Sequence, residues 1–168
     1  MPATLVDKVS MLVSSNLQSL VGQVYKTKNT THFFRHYLQI EEQLGEVEQA
    51  IREADEEAKD LQQKGLRCSE QRANLDKMVD GFLVQRREKE AARAQKELNQ
   101  LERLDDLYRQ QAHQLDAKRA KLLKARDTLE VRLSLMKEER EKLEAFVAEY
   151  RAQQRGQTAS DSEYRVVD

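Results

Sequence analysis

Proline is all but missing: Pro2 is the only one in 168 residues, so nothing in the interior forces a helix to kink. Five glycines, no tryptophan and 5% aromatic residues leave little material for tight turns or a thick globular core. Cys68 is the single cysteine, which excludes an internal disulfide and suits a reducing compartment. Neither charge sign prevails. The 29 Lys and Arg stand against 30 Asp and Glu, for a net charge of −1, which argues against a nucleic-acid partner held by bulk charge. No window approaches the roughly 20 apolar residues that cross a bilayer. The N-terminus also lacks the basic flank and small-residue cleavage site of a secretory signal. These absences lead us to expect a cytoplasmic protein.

What is present is periodicity. Ile40, Val47, Ala54, Leu61, Cys68, Leu75 and Phe82 recur every seven residues, and so do Leu101, Tyr108, Leu115, Leu122, Leu129, Met136 and Leu143. Sustained heptads specify long helices whose apolar seams need another helix to cover them. The expected fold is all-α: a long antiparallel coiled-coil hairpin preceded by a short amphipathic N-terminal helix. Four segments follow, at residues 3–24 (amphipathic helix), 25–31 (polar linker), 32–152 (hairpin, with its tip at about 80–87) and 153–168 (polar, disordered tail).

Asn29, Thr30 and Thr31 suit the N-cap of a helix opening at His32 or Phe33. Gly65 and Arg72 interrupt the first seam, and Ala54, Ala58 and Gly65 would allow a close helix approach. One row of the second seam contains Asp105, Arg119, Arg126 and Arg140, which calls for water or a charged neighbour. Asp80-Gly81 is the turn-like dipeptide of the region, and Gln85-Arg86-Arg87-Glu88 is a polar break after it. Residues 32–82 hold 12 acidic and 7 basic side chains, against 14 and 17 in 83–152, so either the arms attract or both are ordinary solvated helix faces. The second arm is the longer, and Leu133, Leu135, Met136, Leu143, Phe146 and Tyr150 near its end need cover from another chain or from the N-terminal helix.

In residues 3–24, Leu5, Val6, Val9, Leu12, Val13, Leu17, Leu20, Val21 and Val24 share one helical face. Asp7, Ser10, Ser14, Ser15, Gln18 and Ser19 occupy the other, with Lys8 the only cation. Such a segment is built to lie in a membrane interface by apolar insertion, with little electrostatic pull, or to pack on the hairpin. The two states can alternate.

The search for chemistry returns nothing. His32 and His36 lie one turn apart without a third ligand, His113 stands alone, and neither a phosphate-binding glycine loop nor a nucleophile set is present. No enzymatic activity, metal or cofactor is expected.

Three stretches resemble the phage shock protein A and plastid vesicle-inducing protein family, bacterial relatives of ESCRT-III. VDKVSMLVSSNLQSLV is similar to the family's opening, with Asn16 and Leu20 at matching places. HYLQIEEQLGEVEQAI is similar to its first hairpin arm through Glu41, Glu42, Leu44 and Val47. FLVQRREKEAARAQKE resembles its tip motif through Arg87, Glu88, Ala91, Ala92 and Arg93. Where the family has an acidic-proline linker, this chain has LysThrLysAsnThrThr. The resemblance implies a short member without the C-terminal helices of longer ones, peripheral on the inner face of the cell membrane. Such a member would self-assemble, or assemble with a longer relative, to stabilise or remodel stressed or curved bilayer. Leu5, Val6, Val9, Leu12, Val13, Leu17, Leu20 and Val21 would enter lipid. Phe82, Arg86, Arg87, Glu88 and Arg93 would form the tip used in assembly. The competing expectations are a cytosolic helical-hairpin adaptor or chaperone of the export-ATPase stalk type, and a dimeric coiled-coil scaffold.

Overall fold

The computed structural model describes residues 3–166, with side chains for 3–157. It is all-α, with two long helices packed against each other as a hairpin. Helix α1 spans Leu5–Val13, α2 Leu17–Thr27, α3 Thr31–Val84 and α4 Glu88–Val166. The chain forms two compact units. A four-helix unit joins the chain up to Glu48 with the chain from Lys124 onward, and a two-helix unit consists of Gln49–Leu123.

In the four-helix unit the heptad positions Phe33, Ile40 and Val47 of α3 and Leu129, Met136 and Leu143 of α4 are essentially fully buried. Arg140, a charged member of the second seam, lies with its guanidinium 5.2 Å from the ring centres of both Phe34 and Tyr37, so an aromatic face receives the cation. The uncovered end of the second arm finds its partner in α2: the Tyr25 and Phe146 rings meet edge-to-face at 4.7 Å.

In the two-helix unit Ala54, Leu61 and Leu115 form a buried cluster flanked by Ala58, Tyr108 and Ala112. The seam's polar members pair with each other. Arg72, on the first seam, contacts Asp105, on the second, at 3.1 Å, and Arg109 reaches the same carboxylate at 3.1 Å. Arg119 binds Asp55 at 2.6 Å. For Asp105 and Arg119 the charged neighbour anticipated for the half-polar row is the other arm, whereas Arg126 and Arg140 pair with Glu130 and Glu144 of α4 itself. Cys68 is buried and its Sγ donates to the Leu101 carbonyl at 3.2 Å. Burial pushes its thiol pKa up, as expected of a packed cysteine.

Three boundaries differ from the sequence reading, and the tip is narrowed. Residues 3–24 form two helices, because Ser14, Ser15 and Asn16 offer the backbone local alternatives to helix. Ser14 Oγ donates to the Met11 carbonyl at 2.6 Å, and Asn16 Oδ1 accepts from the Ser19 N–H at 3.3 Å as the N-cap of α2. The linker shortens to three residues, since α2 runs to Thr27 and α3 opens at Thr31, whose N–H is accepted by Asn29 Oδ1 at 2.9 Å. The turn occupies 85–87, inside the expected tip of 80–87 and on its polar break, while Asp80-Gly81 stays helical. The Arg87 N–H reaches the Phe82 carbonyl at 2.9 Å and the Arg86 N–H the Leu83 carbonyl at 3.1 Å, a Schellman closure with Arg86 left-handed at φ 57°. Finally, α4 continues to Val166 where a tail from 153 was expected. The segment holds no proline to stop it, and Gly156 by itself costs only about 1 kcal/mol.

Candidate functional site

Each N-terminal helix is specified by its own cap. Thr4 Oγ1 accepts from the Asp7 N–H at 3.1 Å while Asp7 Oδ2 accepts from the Thr4 N–H at 3.2 Å, a reciprocal capping box. Asp7 also places a negative charge in the first turn of α1, where the helix dipole favours it. Helix α2 begins at Asn16 and ends on Lys28, left-handed at φ 58°. Lys28 Nζ donates to the Tyr25 carbonyl at 2.8 Å and lies 5.9 and 5.5 Å from the ring centres of Phe146 and Tyr150. Neither helix needs the other to begin or end.

The eight residues expected to face lipid are turned toward the protein. Val9 is buried, while Leu5, Val6, Leu12, Val13, Leu17, Leu20 and Val21 are half-buried. Val24 completes the face at 1% exposure, and Met11 stands out at 70%. The apolar face is thus docked, though shallowly.

Two polar residues of this unit lie off the pattern that sequence periodicity marks. An Arg132 Nη of α4 donates to the Ser15 carbonyl, in the break between α1 and α2. His36 of α3 is 6% exposed and its Nε2 has no hydrogen-bond partner. Burial first, and the Arg132 charge second, hold its imidazole pKa below the usual value of 6.5. Burial also lowers the Arg132 pKa. Arg132 sits off the half-polar row of the seam, so no spacing rule would have selected it. Phe146 and Tyr150, by contrast, were legible as apolar residues in need of cover. Beside the break, α2 and α4 enclose a groove of about 560 Å³ with Leu17, Val21, Tyr25, Arg132 and Leu135 in its wall.

The expected tip residues gather in the two-helix unit. Phe82 is half-buried beneath the Arg87 guanidinium, 5.3 Å from its ring centre. Arg87 pairs with Glu90 at 2.7 Å. Arg86 occupies the left-handed position of the turn, Glu88 opens α4, and Arg93 lies exposed on its second turn. Leu83 and Val84 are exposed beside them, at 56% and 84%. The lipid-facing set and the tip set belong to different units.

His32 is exposed while His36 is buried. Among the described residues no group of three or more His, Cys, Asp or Glu is placed to hold a metal ion, and no helix is long and apolar enough to cross a membrane. No family model, curated protein or solved structure matches the chain.

Proposed function

We propose that this chain is a peripheral membrane protein of the cytoplasmic face. In this reading α1 and α2 leave the hairpin and insert into stressed or curved bilayer, and copies of the hairpin assemble there, alone or with a longer relative, to stabilise or remodel it. The protein performs no chemistry of its own.

The observation that carries the reading is the shallow docking of two independently capped helices. A half-buried apolar face exchanges protein contact for lipid contact at little net cost, because both environments remove the same side chains from water. The capping box at Thr4 and the Asn16 cap travel with their helices, so helicity survives undocking. The polar face is rich in Ser and Gln, so insertion rests on apolar burial and favours loosely packed lipid. The resemblance to the phage shock protein A family supports assembly on the membrane.

Vesicle co-sedimentation of Leu12→Glu tests the insertion. A carboxylate at that depth costs about 2–3 kcal/mol, so bound protein should fall by at least about tenfold while circular dichroism stays helical. Unchanged binding would remove lipid insertion, and a docking helix for a protein partner, the adaptor reading, would take its place. Negative-stain electron microscopy with small vesicles tests assembly, the expected result being coated or tubulated membrane and the contrary one bare vesicles.

A further inference from the structure

We propose that the groove between α2 and α4 is a binding site for one anionic phospholipid, its phosphate on Arg132 and an acyl chain along Leu17, Val21, Tyr25 and Leu135. The inference rests on the preceding reading only for the class of ligand. It requires α2 docked, whereas insertion requires α2 released.

The charge of Arg132 is uncompensated. Its Nη serves the Ser15 carbonyl, its Nε is buried without an acceptor, and among the described residues it makes no ion pair with a carboxylate. A guanidinium keeps its proton even where burial disfavours it, and a partly desolvated cation gains strongly from an anion. Glu139 also lines the groove, but its carboxylate lies 3.9 Å from Lys142 Nζ. Asn16 and Gln18 face the same space at the start of α2, whose first turn has no acidic residue to oppose an anion.

The remainder of the wall is apolar. Leu135 is 47% exposed, and Gly22 contributes no side chain where an added carbon would meet nothing within 4 Å. A volume of about 560 Å³ falls in the ordinary range for small-ligand sites, about 300–1,000 Å³. One cation in the wall of one largely apolar groove matches one phosphate and one chain. An acidic peptide or a second hairpin would bring several charges, and α2 with the break before it has no charged residue from Val9 to Tyr25 to meet them.

The test uses the full chain and lipids too short to form a bilayer. Amide chemical shifts are followed by NMR while dihexanoyl phosphatidylglycerol, dihexanoyl phosphatidylcholine or inorganic phosphate is added below any micelle concentration. Saturable shifts at Leu17, Val21, Tyr25 and Leu135 are expected with phosphatidylglycerol, with affinity at least about tenfold weaker for phosphatidylcholine and for Arg132→Gln. Arg132→Lys should recover part of the affinity, and Leu135→Asn should lose it with the Arg132–Ser15 contact intact. Equal binding of both lipids, full affinity in Arg132→Gln, or phosphate matching the lipid would overturn the proposal. Shifts that follow protein concentration instead of lipid would assign the groove to a second copy and overturn it equally. Leu12→Glu separates the two readings. Retained short-chain binding with lost vesicle binding supports both, whereas lost short-chain binding in the wild-type chain with intact vesicle binding removes the groove site alone.

Discussion

Among the described residues, the largest fully buried side chains (Phe33, Ile40, Leu129, Met136, Leu143, Val24 and Val47) all belong to the four-helix unit. The two-helix unit also buries leucines, with Leu61, Leu98, Leu115 and Leu122 at 2–7% exposure, alongside the small Ala54, Cys68, Ala91 and Ala94, and adds Arg72–Asp105 and Arg119–Asp55 pairs. Both units draw on the same two long helices with the same heptad spacing. Periodicity alone therefore does not decide how such helices are held. Where α1 and α2 add a layer, large aliphatic and aromatic residues can be buried completely. Where two helices pack by themselves, most of the leucines in the seam keep a few per cent of exposure, and small residues and cross-seam charge pairs supplement them.

The comparison is broken most directly by truncation. Leu129→Ala should cost the four-helix unit about 3–5 kcal/mol, and Leu61→Ala the two-helix unit nearer 2, read as lost amide-exchange protection in each. Equal losses would erase the difference. The polar pairing comes next. Asp105→Ala removes the nearer carboxylate from Arg72, leaving Glu102 at 3.8 Å, and should cost about 1–2 kcal/mol, less than a deeply buried pair because the Arg72 side chain is 33% exposed. Replacing both Arg72 and Asp105 by Leu should recover that stability, and failure to recover would mean the pair does more than match charge.

The subtlest probe is pH. His36 has its pKa lowered in the docked state, so it binds fewer protons there than when exposed, and the stability it lends is complete above its free value of 6.5. That contribution is lost as pH falls through 6.5 toward the lowered docked value. Exchange protection in the four-helix unit, α1 and α2 included, corrected for intrinsic rates, should weaken on acidification in the wild-type chain and much less in His36→Gln. Identical profiles in the two proteins would remove His36 from the docking.

Much of this architecture is readable in the residues. The ladders from Ile40 to Phe82 and from Leu101 to Leu143 are buried or half-buried throughout, because a seven-residue repeat leaves few other ways to cover apolar side chains. The break at Ser14–Asn16 is hidden because Leu12, Val13 and Leu17 keep a helical apolar face across it, while the interruption comes from hydroxyl and amide groups competing for the backbone. Asp80-Gly81 signals a turn that Arg86 makes instead. An isolated glycine is tolerated inside a long helix, and a non-glycine residue can take the left-handed position when two closing hydrogen bonds hold it there. Arg132 was not legible. It acts by meeting a carbonyl 117 residues away, and nothing local marks that contact.

The Arg72–Asp105 layer has a further consequence. Two antiparallel heptad helices can slide past each other by seven residues and rebuild almost the same apolar seam, so their alignment is weakly specified by hydrophobicity. A one-heptad slide here sets Arg72 against Leu98 or Ala112 and leaves Asp105 only Arg109 of its own helix. The pair thus works as a key that admits one register, a role in which polar seam residues trade stability for uniqueness. A variant carrying Leu at both positions would keep its stability and lose its alignment.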